Sequence, residues 1–352
     1  MIITRTPFRV TLGGGGTDLP SYYSGHGGFI FAAAINKYMF INLNRPVVDD
    51  LVRVKYTRSE TVPHRDALQH EIAREGLRMA GIERGVEITS MADVPAGTGL
   101  GSSSCYAVGL LNALHTMQRQ PLGYQDLAEE ACKLEMDILR KPIGKQDQYM
   151  AAFGGLTVLR IAADGAVEVS AAQVSEAAIE ELERNMLLFY TGVERSSDDI
   201  LREQSEGITQ RREQVVASLN AIKEMGEEIL EMIQAEDLSG FGRALDRHWE
   251  LKKKLASQVS NPQFDHWYRI ARANGALGGK ISGAGGGGFL LVYTEKNHVQ
   301  LREALRAAGL REMRYHFEFE GTKVLVNLMN GTHHGNGTGH GADRNRWLVA
   351  SR

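Results

Sequence analysis

Three hydroxyl residues, Ser102, Ser103 and Ser104, close a loop in which Gly97, Gly99 and Gly101 alternate with Thr98 and Leu100. Alternating glycines let a backbone turn tightly and approach a ligand with no side chain in between. Behind the loop, Ala107, Val108, Leu110, Leu111 and Leu114 recur at the spacing of an amphipathic helix. The loop therefore feeds a helix N-terminus, where free N–H groups and the positive end of the dipole suit a phosphate. A flexible serine-glycine linker would not abut so regular a helix face. Gly97 to Ser104 read as a nucleotide-phosphate site. The chain has no G-x-x-x-x-G-K-[ST], which excludes the common loop with its phosphate-binding lysine.

Glycine is the unusual component, 39 of 352 residues, and it clusters. One cluster is Gly13 to Gly16, another the loop above, a third Gly278 to Gly288, and a fourth Gly331 to Gly341. Gly283, Gly285 and Gly288 satisfy G-x-G-x-x-G. The sequence shows no strand leading into them and a strand rather than a helix following, so a dinucleotide fold fails its context test.

These loops need elements to hold them. Phe8–Leu12 alternates and stops at four glycines; Phe29–Leu43, Leu51–Tyr56, Val86–Met91 and Gly154–Arg160 also read as strands. Helical patterns fall at 64–80, behind the phosphate loop, and at 126–139. From about residue 175 long helical patterns dominate: 175–184, 197–206, 210–234, 238–256 and 261–274. Strands return at 288–293 and 313–327 around a helix at 299–308. The mixture predicts a two-lobed α+β protein with its boundary near residues 160–175.

Composition sets the outer limits. An apolar fraction of 43% and a charged fraction of 24% are those of an ordinary globular protein. A net charge of −3 gives no general attraction to nucleic acid or an anionic membrane. The first residues lack a signal-peptide core and no apolar run reaches spanning length, so a cytoplasmic protein is expected. Cys105 and Cys132 carry no metal-ligand spacing, and Cys105 reads as a small buried residue. The last stretch, 329–352, is rich in Gly and His and is expected to be disordered.

Three glycine motifs in fixed order, Pro7–Asp18, Pro95–Ser104 and Gly279–Gly288, together resemble the signature of the GHMP kinases over roughly residues 1–328. The resemblance implies a two-lobed GHMP-kinase fold. Its N-terminal lobe, 1–165, would be ribosomal-protein-S5-like α/β, and its C-terminal lobe, 166–328, ferredoxin-like α+β. It also implies ATP as substrate, Mg²⁺, and phosphoryl transfer by positioning and charge neutralisation. By motif, Asp147 in Gly144–Tyr149 matches the catalytic aspartate and Arg9 the basic residue beside it. Ser103 and Glu135 match the magnesium site, and Asp18 the aspartate that binds sugar hydroxyls. Gly15, Thr17 and Gly285 join Asp18 as expected substrate contacts. From the residues alone, Arg9 could instead snorkel from a strand, and Gly283–Gly288 could serve only close backbone packing.

Within the family, Gly13–Pro20, Tyr190–Ser197 and Gly275–Lys280 resemble the bacterial heptose 7-phosphate kinases. These phosphorylate the anomeric hydroxyl to give a 1,7-bisphosphate on the way to nucleotide-activated heptose. Arg195, beside Ser196 and Ser197, is then a candidate clamp for the distal phosphate, or an exposed arginine next to a capping serine. The resemblance leaves open an L-fucokinase-like or other sugar 1-kinase. From another class it leaves a non-catalytic sugar and ATP sensor. Partners expected are the small-molecule sugar phosphate and ATP, with neither nucleic acid nor membrane; a homodimer stays open.

Overall fold

The computed structural model describes residues 1–193 and 197–329. The chain opens with β1 (Ile2–Gly13), α1 (Pro20–His26), β2 (Gly28–Asn44), β3 (Val52–Lys55) and β4 (Ser59–Val62). Next come α2 (Glu71–Met79), β5 (Val86–Ala92), α3 (Ser102–Gln118), α4 (Tyr124–Cys132), α5 (Gln146–Phe153), β6 (Leu156–Ile161) and β7 (Val167–Ala171). The remainder is α6 (Glu176–Asn185), β8 (Met186–Tyr190), α7 (Ser197–Thr209), α8 (Glu213–Gln234), α9 (Leu238–Lys252), α10 (Pro262–Ala273), β9 (Gly278–Ile281), β10 (Phe289–Tyr293), α11 (His298–Ala307), β11 (Arg311–Met313) and β12 (Lys323–Asn327).

Two sheets organise these elements. The larger has eight strands in the order β12-β1-β2-β5-β3-β4, with β6 and β7 branching from β2. The long strand β2 makes this possible: Gly28–Ala33 pair with β6, and Met39–Asn44 pair with β5. All its pairings are antiparallel except β3 with β5. The smaller sheet is antiparallel, in the order β11-β8-β10-β9. The expected α+β architecture with two lobes is present.

α3 is the helix on which the larger lobe is built. Its apolar residues were expected to form one face, yet Ser104–Leu111 are buried without a break. The helix lies on β1 and β2 and is covered by α2, α4 and α5, so this stretch has no face left for solvent. Truncating one such leucine, Leu110 for example, costs about 2–5 kcal/mol. Cys105 is buried there as expected, its thiol facing the Pro7 carbonyl, and burial pushes that thiol well above its ordinary range.

The structure revises several sequence expectations. The helix expected at 64–80 is a short turn at Arg65–Ala67 followed by α2. The Glu60 carboxylate accepts the Gln69 and His70 N–H groups and holds the chain between them extended. The strand expected at 313–327 is two strands in different sheets, β11 and β12; the segment between them runs antiparallel beside β2, Phe317 bridging Ile35, before it reaches β1. A division at 165/166 is not where the sheets divide. β7 pairs with β6, and β12 returns to pair with β1, so both belong to the larger sheet. From residue 330 the glycine- and histidine-rich tail lies outside the described residues.

Candidate active site

A cleft of about 1210 Å³ runs between the lobes, lined by all three glycine motifs. That exceeds the roughly 300–1,000 Å³ usual for one drug-sized ligand and leaves room for two substrates side by side. At its centre is the turn before α3. Gly97, Gly99 and Gly101 have φ of 75°, 74° and 85°, left-handed values that side-chain-bearing residues rarely adopt. Gly101 is the N-cap, so the unpaired N–H groups of Ser102, Ser103 and Ser104 open the helix. Thr98 and Leu100 are buried and shape the loop from beneath: the Thr98 hydroxyl donates to Pro95 O at 2.9 Å.

The third motif supports that loop. A Cβ on Gly283 would lie 2.6 Å from Gly99 Cα, and one on Gly288 only 2.0 Å from Thr98 O. The two loops therefore pack backbone against backbone, as the packing alternative for Gly283–Gly288 required. β9 does lead into this motif, contrary to the sequence reading. The strand β10 follows it, so no helix N-terminus stands there and the dinucleotide fold remains excluded.

Arg9 projects from β1 and clasps Asp147, at the start of α5, with two bonds. Its Nε donates to Oδ1 at 2.7 Å and its Nη2 to Oδ2 at 2.8 Å, while Nη1 donates to Gly99 O at 2.6 Å. The arginine side chain is 5% exposed, against 26% for the aspartate, whose open side is left toward the cleft. Arg9 is thus tied into the site rather than snorkelling. Gln146 donates to Asp147 Oδ1 at 2.9 Å and accepts from Thr11 at 3.0 Å, which fixes the carboxylate further. Asp18 accepts the Gln146 N–H at 3.0 Å, and burial pushes its carboxyl up. A Cβ at Gly144 would fall 2.0 Å from its Oδ2, so the glycine is what lets Asp18 sit there.

Glu135 lies in a wide π-helical turn, Lys133–Ile138, that continues α4. Such turns redirect a side chain out of helical phase and recur at functional sites. Its carboxylate is fully buried and accepts from Ser103 at 2.5 Å, Ser104 at 2.7 Å and Gln148 at 2.8 Å. Burial pushes it up, and these three neutral donors partly oppose that.

Gly15 and Gly285 line the cleft, but Thr17 does not present its hydroxyl to it. That hydroxyl is buried on the carbonyls of Gly14 and Phe29, both at 2.8 Å, and so braces the turn instead of touching a substrate. Arg195 lies outside the described residues.

Other cleft residues had not been singled out. At one end His70 stacks on Tyr106 with ring centroids 4.5 Å apart, and Tyr56 meets His70 edge-on at 4.6 Å. On the wall formed by the second lobe stand His248, Lys252 and Lys280. Lys252 opens a run of three lysines that reads as a solvated helix end. Lys280 had a visible signal: a charge inside a short, otherwise uncharged strand next to a ligand-type loop.

Two lobes flanking a glycine loop at a helix N-terminus, with a clasped carboxylate beside that loop, define a fold and site suited to phosphoryl transfer. The GHMP kinases N terminal domain model matches residues 67–155, and the GHMP kinases C terminal model matches residues 229–310. The chain belongs to the GHMP kinase family. It is 28% identical over 340 residues to a D-glycero-alpha-D-manno-heptose 7-phosphate kinase of Campylobacter jejuni, covering 92% of this chain and 98% of that one. It is 27% identical to an L-fucokinase/L-fucose-1-P guanylyltransferase of Bacteroides fragilis, covering 85% of this chain but 35% of that longer protein. A crystal structure of a D-glycero-D-manno-heptose 1-phosphate kinase from Bacteroides thetaiotaomicron shares the fold, with a TM-score of 0.76 at 24% identity. It covers 93% of this chain and all of that one. Among the described residues no helix is long and apolar enough to cross a membrane.

Proposed function

We propose that this protein transfers the terminal phosphoryl group of ATP to the anomeric hydroxyl of a heptose 7-phosphate, giving the 1,7-bisphosphate. The observation that carries phosphoryl transfer is the Arg9–Asp147 clasp, held beside the phosphate loop through the Arg9–Gly99 bond. The heptose phosphate comes from the likeness to the Campylobacter enzyme, which extends over nearly the full length of both chains.

In this reading ATP lies with its base at the Tyr106–His70 end and its phosphates on the N–H groups that open α3. Asp18 accepts from the sugar hydroxyls. The anomeric hydroxyl meets Asp147 at Oδ2, which has one donor from Arg9 and keeps a lone pair free. As the new P–O bond forms and the bond to ADP breaks, the hydroxyl proton passes to that carboxylate. Arg9 places positive charge where negative charge builds up on the transferring group.

A magnesium ion fits the residues present. Glu135 is a buried carboxylate surrounded only by neutral donors, with a serine hydroxyl beside it facing the phosphate loop. One carboxylate and one hydroxyl, completed by phosphate oxygens and water, are the oxygen donors Mg²⁺ uses. Ser103 and Glu135 would hold it, and when bound it would neutralise charge on the phosphates. The site residues and the second lobe's start, placed after β7, are part of the same proposal.

The test is ADP release from ATP with a panel of free and phosphorylated sugars. Heptose 7-phosphate is expected to be turned over with the highest kcat/KM. A preference for free fucose, or no turnover of any sugar, would overturn the substrate or the reaction respectively.

A further inference from the structure

The second-lobe wall of the cleft carries a cluster of basic groups with no compensating carboxylate among the described residues. Lys280, on β9, donates from Nζ to the Leu12 carbonyl at 3.0 Å. Lys252, at the end of α9, donates to the carbonyls of Ile281 at 2.9 Å and Gly283 at 2.5 Å. His248, one turn earlier on α9, is 1% exposed, and neither of its ring nitrogens has a hydrogen-bond partner among the described residues. Both lysines are also buried, and among the described residues neither forms an ion pair. Each ammonium has three N–H groups, so Lys280 keeps two unspent and Lys252 keeps one.

Burying like charges together without an anion is costly. Here burial pushes Lys252 down to about 7 and Lys280 well below its ordinary range, with the nearby Arg9 charge adding to both. An arrangement so unfavourable alone becomes favourable when a ligand supplies the negative charge. Its location says which ligand. Lys280 is hooked over the end of β1, where the Gly13–Gly16 turn leads to Asp18, and Gln204 of α7 closes over that turn at Gly16 O. This is the acceptor's side of the cleft.

We propose that Lys252, Lys280 and His248 form a receiving site for a phosphate dianion carried by the acceptor sugar. The proposal rests on the sugar-kinase reading above and deepens it by assigning residues to the acceptor's own phosphate. The three unspent lysine hydrogens and an imidazole N–H match the terminal oxygens of a phosphomonoester, and each such contact is charge-assisted.

The test uses the full chain with Lys280→Gln, Lys252→Gln and His248→Asn. Glutamine keeps a donor for the backbone carbonyls and removes the charge, and melting curves report whether each variant folds. Inorganic phosphate, titrated calorimetrically without nucleotide, is expected to bind the wild type and to bind each lysine variant at least about tenfold more weakly. In turnover, the ratio of kcat/KM for the phosphorylated over the free form of one sugar is expected to fall about 10- to 100-fold. An equal loss on both forms would assign the cluster to the phosphate in transfer and overturn the proposal. Unchanged phosphate binding in folded variants would overturn it too. Wild-type protein inactive on every sugar would refute the kinase reading, while phosphate binding lost in the lysine variants would still support the anion site.

Discussion

Asp147→Asn separates the electrostatic from the chemical part of the proposed site. Arg9 offers Nε to Oδ1 at 2.7 Å and Nη2 to Oδ2 at 2.8 Å. An amide has one oxygen and one NH₂ group, so whichever way it turns, one arginine N–H faces another donor. Loss of that charge-assisted bond costs about 1.5–3 kcal/mol, little relieved by solvent because Arg9 is 5% exposed. Independently, the amide cannot take the hydroxyl proton. General-base help contributes about 10²–10⁴ in rate, or roughly 2.7–5.4 kcal/mol at 1.36 kcal/mol per decade. The phosphate loop is built from backbone groups, so nucleotide affinity is expected to stay within a few-fold. The assay is kcat at saturating substrates beside fluorescence titration with a nucleotide analogue. A folded variant retaining kcat within about tenfold of wild type would refute the role given to Asp147.

Further expectations address the metal, the loop packing and the buried lysine. Ser103→Ala and Glu135→Gln each remove an oxygen donor, so half-maximal activity should need more Mg²⁺; saturation at the wild-type concentration in both would place the ion elsewhere. Gly283→Ala sets a Cβ 2.6 Å from Gly99 Cα at φ of +64°, so KM for ATP should rise at least about tenfold or the protein should melt earlier, by about 1–3 kcal/mol of strain. Gly25→Ala, with nothing within 4 Å, is its silent control. Burial and then the Arg9 charge from β1 push Lys252 down to about 7 when folded, against 10.5 in an exposed chain; Lys280 from β9 and His248 on its own helix also face it. The unfolded chain therefore holds a proton the native state lacks between those values, so its contribution to stability rises with pH across that window. Urea unfolding at pH 7 and 9 should show that rise, and Lys252→Gln should show a smaller one because buried Lys280 contributes in the same direction, while inorganic phosphate binding to the wild type weakens over the same interval.

What could be read in the sequence was whatever is written in consecutive residues. The phosphate loop and α3 are legible because glycine alternation, hydroxyls and helical spacing follow one another along the chain. Asp147, Glu135 and Arg9 came by motif match, and their meeting is a matter of topology: residues 138 apart are joined because β1 and α5 both pack beside α3. Thr17 misled because its hydroxyl looks equally ready for a ligand or a carbonyl, and only the approach of Phe29 decides. The lobe division misled because strand pairing is non-local: nothing around residue 323 says that β12 will return to β1. Lys252 was hidden for the same reason, since burial of the first of three lysines depends on where β9 runs.

The charges in the cleft are arranged for ligands rather than for one another. Besides the Arg9–Asp147 clasp, several of them are held by neutral partners: Glu135 by two serines and Gln148, Asp18 by a backbone N–H, and Lys252 and Lys280 by backbone carbonyls. Joining Lys280 or Lys252 to a carboxylate would relieve the desolvation of both, yet the fold spends those bonds on carbonyls. Desolvated groups of this kind interact strongly with whatever opposite charge enters, because little water is left to screen it. Carboxylates beside the loop call for a cation, and lysines beside the sugar turn call for an anion. Both lobes contribute: Lys280 and Lys252 belong to β9 and α9, whereas Leu12, Arg9 and Glu135 belong to the larger sheet's lobe. A phosphate at the lysines and a cation at Glu135, as proposed, would each neutralise a buried charge, so binding energy from groups remote from the reacting atoms would go into holding the site together.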